Sequence, residues 1–369
     1  MTSVLSLIAG LTEMGHEVRI LTLSRNLHTF SSDNVTYVGS IGAGKIYPNA
    51  RFKVKRARAA VRELVEWHPD VVHSQCEFCT FRMARRIAEK SGAPLIHTYH
   101  TVYEDYTHYF SPSERLGKRI VAFFSRRILS KVDQVIVPTD KVRDLLISYG
   151  VKKPIMTIPT GLKFDRFRRS GDRERDLIRQ RFGIRKDDIA LIYLGRLAEE
   201  KNVEEILEFF SRQSNEHLKM LVVGDGPDRK TIEDTAWSLG LEGRVVFTGM
   251  VPPEEVGSYY SAGDIFVCAS QSETQGLTYI EAMAAGLPLL CRNDLCLQEV
   301  VIEGVNGYTY DTEQEFQYYL KKLAGDQEHR HKLGKNATRY VFDEFSEKRF
   351  ANAVTALYQG DKGEAPIHS

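Results

Sequence analysis

Residues 264–288 read "DIFVCASQSETQGLTYIEAMAAGLP", and their order decides the fold. "DIFVCAS" is a short apolar run of the kind that forms a strand covered on both faces. Gly276 interrupts the chain, and "LTYIEAMAAG" then has the composition of a helix ended by a glycine. A strand, a glycine-containing turn and a helix form the repeating unit of parallel α/β layers. Glu273 falls at the exit of that strand and Glu281 about two turns into the helix, so both carboxylates can face one cleft.

The same rhythm extends in both directions. In the second half "DIALIYLGR", "LKMLVVGDG", "RVVFTGMV" and "LPLLCRN" read as buried strands, separated by the helical "EEILEFFSRQ", "DRKTIEDTAWSLG" and "PPEEVGSYYSAG". In the first half the strands are "EVRILTLS", "DVVHSQ", "APLIHTYH", "DQVIVPT" and "PIMTIPT", with helices over 50–67 and in "TDKVRDLLISYG". The expected architecture is α/β in two domains. Their limits are 1–165 and 166–345, and 346–369 form a closing helix and tail able to pack on either. A chain of 369 residues suits two cores better than one. The layer opens with the helical "TSVLSLIAGLTEMG", where a doubly wound layer starts on a strand near its centre, so a strand is expected ahead of it.

Composition narrows the function classes. Hydrophobic residues make up 42%, and no stretch offers the roughly 18 consecutive apolar residues of a membrane span. The opening segment lacks a basic leader and a cleavage site, which points to the cytoplasm. Five cysteines form no disulfide framework, and "CEFC" at Cys76 and Cys79 lacks a second ligand pair for zinc. Residues 1–160 hold 23 Lys and Arg against 14 Asp and Glu, a net +9, which leaves −8 for the remainder of a chain that totals +1. A cationic half suits an anionic substrate or surface.

Ligands of open parallel sheets bind beyond the carboxyl ends of the strands. Arg196 and Lys201 in "YLGRLAEEKN", Gly224 and Gly226 in "VVGDGP", Met250 in "FTGMV", and Gly276, Leu277 and Thr278 all fall there. A guanidinium, an ammonium and the first amides of a helix are the donors a diphosphate needs. Glu273 and Glu281 cannot bind phosphate and are instead suited to hydroxyls, Glu273 to those of a sugar and Glu281 to those of a ribose. The plainer alternatives are a cap for Glu273, an exposed helical acid for Glu281, and ion pairs of Arg196 or Lys201 with Glu199 or Glu200.

"GRLAEEKN", "VVGDGP", "FTGMV" and "SETQGLTYIEAMAAGLP" resemble the donor half of retaining family 4 glycosyltransferases, which have the GT-B fold of two Rossmann-like domains facing a cleft. "HSQCEF", "HTYHTVYEDYTHY" and "IPTGL" look like the narrower set that glucosylates diacylglycerol. The resemblance runs from about residue 2 to about residue 350. It implies that Arg196 and Lys201 hold the diphosphate of a nucleotide sugar, UDP-glucose first among them, that Glu273 holds the hexose, and that Glu281 holds the ribose. His100 matches the first-domain histidine near the reacting sugar, with a structural role for this strand-end ring as the alternative. Tyr103, Glu104, Asp105 and Tyr106 would line the acceptor side, unless that loop only caps the domain. The resemblance further implies retention by front-face attack. The sequence has no Asp-x-Asp pair at a strand end, so no metal or other cofactor is expected. Family members carry a strand and a glycine loop ahead of the segment matching "TSVLSLIAGLTEMGHEV", and the expectation is a truncated chain or a misassigned start.

Residues 115–132, "RLGKRIVAFFSRRILSKV", join an apolar arc of Leu116, Ile120, Phe123, Phe124 and Ile128 to Arg115, Lys118, Arg119, Arg126, Arg127 and Lys131. Arg and Lys for anionic headgroups with Phe for the acyl boundary is an interfacial pattern, and "RFKVKRARAAVREL" adds charge of the same sign. The partners expected are therefore a nucleotide-sugar donor, a lipid acceptor and an anionic membrane surface on the inner face of the plasma membrane, with no nucleic acid. Two other readings stand beside it, the same chemistry on a soluble acceptor and a non-catalytic membrane-associated remnant.

Overall fold

A computed structural model of the chain describes residues 2–42, 51–53, 57–104, 113–167 and 172–360. The chain divides into two compact units. Met1–Gly161 and the segment from Glu347 form the first, and Leu162–Ser346 form the second. The division thus falls a few residues before position 165.

The first unit runs α1 (Thr2–Glu13), β1 (Ile20–Leu23), β2 (Phe30–Ser32), β3 (Val35–Val38), β4 (Ser40–Gly42), β5 (Arg51–Lys53), α2 (Arg58–Glu66), β6 (Val72–Ser74), α3 (Cys79–Ser91), β7 (Leu95–Thr98), α4 (Glu114–Leu129), β8 (Gln134–Val137), α5 (Asp140–Ser148) and β9 (Ile155–Thr157). Strands β6, β7, β8 and β9 form one parallel sheet in sequence order. A second sheet has the order β1-β3-β2, with β1 parallel and β2 antiparallel to β3, and β4 pairs antiparallel with β5. Helix α3 touches both β1 and β6. Beneath it Val38, Ala60, Val61, Leu64, Met83 and Ile87 close one apolar cluster against Leu21, Leu23 and Val72. The continuous helix expected over 50–67 is corrected: Arg51–Lys53 are extended and the helix starts at Arg58. Arg51 explains the difference, because its guanidinium donates to the Ser24 and Arg25 carbonyls at 3.0 and 2.7 Å and holds the segment against the preceding loop.

The second unit runs α6 (Asp172–Arg181), β10 (Ile189–Leu194), α7 (Val203–Ser211), β11 (Leu218–Val223), α8 (Arg229–Ser238), β12 (Val245–Gly249), α9 (Val256–Ala262), β13 (Ile265–Cys268), α10 (Leu277–Ala284), β14 (Leu289–Arg292), β15 (Gly307–Tyr310), α11 (Glu313–Gly325) and α12 (Gln327–Glu344). Its six strands are all parallel, in the order β12-β11-β10-β13-β14-β15. Ala190, Leu191, Ile192 and Tyr193 of the central β10 are at most 1% exposed. Burial of a Leu or Ile side chain contributes roughly 1.5–3 kcal/mol, which is why these strands read as unbroken apolar runs. At the opposite end of the sheet Asp264 accepts from Arg175 at 2.7 Å and from the Ala190 amide at 2.8 Å, tying α6 to the starts of β10 and β13. Burial opposes its charge, but Arg175, the Ala190 amide and Arg179 outweigh that and hold the carboxyl below the usual range.

A last helix, α13 (Glu347–Tyr358), belongs to the first unit. Its Phe350, Val354 and Leu357 are buried with Leu7 and Leu11 of α1 and with Ile96, Ile136 and Ile158.

Candidate active site

The strand order of the second unit reverses between β10 and β13, because β11 and β12 extend to one side of β10 and β13 to β15 to the other. Such a switch point leaves a crevice at the carboxyl ends of the two central strands, since the connecting helices leave to opposite faces. Arg196 and Lys201 follow β10, and Glu273 follows β13. The structure therefore brings these three sequence-predicted residues to one place. Gly224 follows the neighbouring β11 at a φ of 133°, and a Cβ there would collide with the Gly195 carbonyl oxygen. A Cβ on Gly226 would do the same to the carbonyl of Leu197, so "GDG" lets two strand ends approach at van der Waals distance. Met250 follows β12, the outermost strand on that side, and is 76% exposed.

Lys201 lies in a single 3-10 turn, Glu199–Lys201, and its Nζ donates to Glu273 Oε1 at 2.6 Å. Both side chains are largely covered. Arg196 faces Glu200, with 3.7 Å between guanidinium and carboxylate. Glu200 is itself nearly buried, and neither of its carboxylate oxygens has a hydrogen-bond partner among the described residues. The turn is pinned to the β13 loop by Ser272, whose hydroxyl donates to the Glu200 carbonyl at 3.1 Å. The ion pair with Glu200 is thus the one that holds for Arg196, while Lys201 pairs with the distant Glu273.

Gly276 caps α10 at φ 71°, where a Cβ would collide with the Tyr279 ring. The amides of Leu277 and Thr278 open that helix, and the first amides of a helix have no acceptor within it. Glu281 lies one turn into the helix and not the two expected, because the helix starts only at Leu277, and it is buried rather than an exposed helical acid. Tyr260 donates to its Oε2 at 3.1 Å and the Arg166 guanidinium lies 4.0 Å from Oε1. Burial pushes its carboxyl up to about 7, against the opposing pull of Tyr260 and Arg166. Tyr260, Arg166 and Glu200 were not candidates on sequence. Glu200 lies within the quoted "GRLAEEKN", but Arg166 and Tyr260 carry no local signal.

In the first unit His100 follows β7 and Gln75 follows β6, the adjacent strand, and the ring Nε2 meets Gln75 Oε1 at 2.6 Å. Burial is the main reason that the imidazole is lowered to about 4, with Glu77 opposing and His97 adding to the shift. His100 is therefore neutral at pH 7. Tyr103, half-buried, donates to Glu77 Oε2 at 2.7 Å, and the other oxygen of Glu77 lies 3.4 Å from His97 Nε2. Burial and Glu77 push the Tyr103 phenol upward, so it stays a donor. Burial opposes ionisation of Glu77, yet His97 and Tyr103 more than compensate and hold it below the usual range. Glu104 is half-buried beside Tyr103, whereas Asp105 and Tyr106 lie outside the described residues. Gln75 and Glu77 sit inside the quoted "HSQCEF", where the spacing alone gives them no role.

Helix α4 separates two faces. Gly117, Val121, Ser125 and Leu129 are buried, while Leu116, Ile120 and Phe123 are 52%, 47% and 57% exposed. Arg115, Lys118, Arg119, Arg126, Arg127 and Lys131 are all exposed around the same helix and its end. The apolar arc expected from sequence is corrected at two members. Ile128 packs into the core, and Phe124 is half-buried and stacks on Phe78 at 5.9 Å. Phe78, 54% exposed, joins the outward face instead. Among the described residues no helix is long and apolar enough to cross a membrane.

Residues 174–359 match the family described as "Glycosyl transferases group 1" and residues 2–166 the one described as "Glycosyltransferase Family 4". The chain belongs to the family 4, group 1 glycosyltransferases. This glycosyltransferase is 33% identical to alpha-monoglucosyldiacylglycerol synthase of Streptococcus pneumoniae over 85% of its own length and 72% of the relative's. It is 31% identical to the alpha-monoglucosyldiacylglycerol synthase of Acholeplasma laidlawii, over 96% and 90% of the two chains. Among solved structures, sucrose-phosphate synthase from Thermosynechococcus elongatus superposes with a TM-score of 0.74 at 21% identity, covering 97% of this chain and 92% of that one. Anabaena Alr3699/HepE in complex with UDP-glucose superposes at 0.72 and 16% identity, covering 93% and 100%. The glycosyltransferase thus has the two-domain, parallel-sheet α/β architecture of the GT-B fold.

Proposed function

We propose that this glycosyltransferase moves glucose from UDP-glucose to a diacylglycerol-type lipid at an anionic membrane surface, with retention at the anomeric carbon. The observation that carries the reading is the meeting of Arg196, Lys201 and Glu273 at the switch point of the second unit, two cations and a sugar-binding acid beside a glycine-capped helix start. The relatives named alpha-monoglucosyldiacylglycerol synthase support the acceptor, and the UDP-glucose complex of HepE supports the donor.

In this reading the diphosphate lies against the α10 amides, Arg196 and Lys201, with the ribose on Glu281 and the hexose on Glu273. As the bond from the anomeric carbon to the diphosphate breaks, the two cations and the helix start stabilise the growing negative charge. The acceptor hydroxyl attacks the same face, its oxygen forms the new bond, and its proton passes to the departing diphosphate. His100 is assigned to the transferred sugar and Tyr103 and Glu104 to the acceptor side. The reaction is taken to need no metal, because arginine and lysine supply the charge that one would bring. The outward face of α4 supports action at a membrane surface, its Phe123, Ile120 and Leu116 at the acyl boundary and its arginines on anionic headgroups.

The test is incubation with labelled UDP-glucose and vesicles of diacylglycerol in anionic lipid, followed by organic extraction and determination of the anomeric configuration. Label in an α-glucosyl lipid is the expected result. Label only in free glucose or in water-soluble products would remove the lipid acceptor from the reading.

A further inference from the structure

A line of four side chains runs through the first unit from the last helix to His100. Tyr358 Oη of α13 lies 2.6 Å from His73 Nδ1. His73 Nε2 lies 2.7 Å from Thr98 Oγ1 and 3.1 Å from Gln75 Nε2. Gln75 Oε1 then lies 2.6 Å from His100 Nε2. Tyr358 and His73 are 285 positions apart in sequence, and the ring of one stands edge-on to the other at 5.7 Å.

The chemistry of the amide fixes the direction of each bond. Its oxygen carries no hydrogen and must accept, so His100 carries a proton on Nε2. Its nitrogen only donates, so His73 Nε2 offers a lone pair, which the Thr98 hydroxyl also meets. The proton of His73 is then on Nδ1 and is donated to Tyr358 Oη. His73 must be neutral for this pattern to hold, since its Nε2 accepts, whereas His100 can donate from Nε2 in either charge state and is kept neutral by its burial. Burial lowers His73 to about 3, with His97 and His100 contributing, and lowers His100 to about 4. A reversed amide would invert every bond in the line at once, so the four groups share one polarity rather than four independent ones.

We propose that Gln75, His73 and Tyr358 are positioning residues that hold His100 as its Nε2–H tautomer, so that Nδ1 presents a lone pair and accepts a hydrogen bond from a substrate hydroxyl. The inference rests on the proposed role of His100 and adds to it a direction of hydrogen bonding and a dependence on the last helix. It predicts a substrate with a hydroxyl, rather than a carbonyl or ether oxygen, opposite that nitrogen.

Long-range proton–nitrogen correlation spectra of the full chain, labelled with nitrogen-15 in histidine, report which ring nitrogen carries the proton. The wild type at pH 7.5 is expected to show His100 protonated on Nε2 and His73 on Nδ1. Tyr358→Phe removes one hydroxyl and Gln75→Met removes the amide. Either is expected to give His100 a mixture of tautomers and to lower kcat by about two- to tenfold, the loss of one neutral hydrogen bond, with KM for the donor unchanged. A change in melting temperature without a change in tautomer would show these residues to be structural only. Protonation of His100 on Nδ1 in the wild type would overturn the proposal directly. If His100→Ala retains full transfer while the spectra are as expected, the role of His100 fails and the tautomer assignment stands.

Discussion

Lys201 and Glu273 form a 2.6 Å ion pair between two strand ends although 72 positions separate them in sequence. The pair joins the loop after β10 to the loop after β13, and in the proposed reading Glu273 is the acid that holds the hexose. Glu273→Gln keeps the shape and removes the charge. Transfer is expected to fall by about 10²-fold or more, while UDP binding by calorimetry changes little, because the ring hydroxyls and not the diphosphate lose a charged acceptor. Equal losses in both measurements would place Glu273 on the nucleotide.

Arg196→Ala and Lys201→Ala should each weaken nucleoside-diphosphate binding by about 10- to 100-fold, the worth of one charge-assisted contact. Titration calorimetry at two ionic strengths reads this out. A variant that binds UDP as tightly as the wild type would remove that cation from the diphosphate site.

Glu281 gives a pH dependence whose sign follows from its raised carboxyl. Below its ordinary value of 4.5 the group is protonated in both folded and unfolded chains. Between 4.5 and about 7 only the unfolded chain releases the proton, so the contribution to stability falls as pH rises and the cost is complete above 7. Glu281→Gln should therefore raise the melting temperature of the protein at pH 8 and leave it nearly unchanged at pH 5. If Glu281 holds the ribose as proposed, the same variant should bind UDP more weakly at pH 8 by about tenfold, since a neutral amide then replaces a charged acceptor.

The first unit should lose stability in mild acid. His73 and His100 are lowered to about 3 and about 4, so between pH 6.5 and those values the unfolded chain binds protons that the folded one does not. Their contribution is complete above 6.5 and declines as pH falls. Circular dichroism of the wild type and of His73→Gln from pH 7 to pH 4 tests this. The variant should show the shallower decline, and identical slopes would count against the buried neutral ring.

Phe123→Asp, on the outward face of α4, should reduce co-sedimentation with anionic vesicles several-fold and leave thermal stability within about 0.5 kcal/mol. Val121→Asp, two positions away and 4% exposed, should instead unfold the unit. Undiminished vesicle binding by the Phe123 variant would leave that face without a membrane role.

The second unit was legible in its sequence because parallel strands covered on both faces are uninterrupted apolar runs, and "DIFVCAS" or "LKMLVVGDG" can hardly be read otherwise. Glycines at Gly224 and Gly276 mark their turns for the same local reason. Strands β2 to β5 escaped notice because each spans three or four residues with polar members. β15, "GYTY", opens on a glycine that weakens any strand pattern. The partners of the predicted residues were hidden in another way. Gln75, Tyr260 and Tyr358 earn their positions through tertiary contact, Tyr260 to Glu281 across 21 positions and Tyr358 to His73 across 285. No periodicity connects residues so far apart. On α4 the apolar arc was visible, but which part of it faces the core depended on the placement of β8 and α5.

Helix α13 makes the first unit discontinuous in the chain. A ribosome producing this protein releases Leu7 and Leu11 early, yet Phe350, Val354 and Leu357, which cover them, emerge only after the whole second unit has been synthesised. The second unit, continuous from Leu162 to Ser346, can close while the first still waits with an uncovered apolar face. Late synthesis is thus the vulnerable interval for this enzyme, and a chain arrested before residue 347 would leave the ribosome with one finished half and one adhesive one.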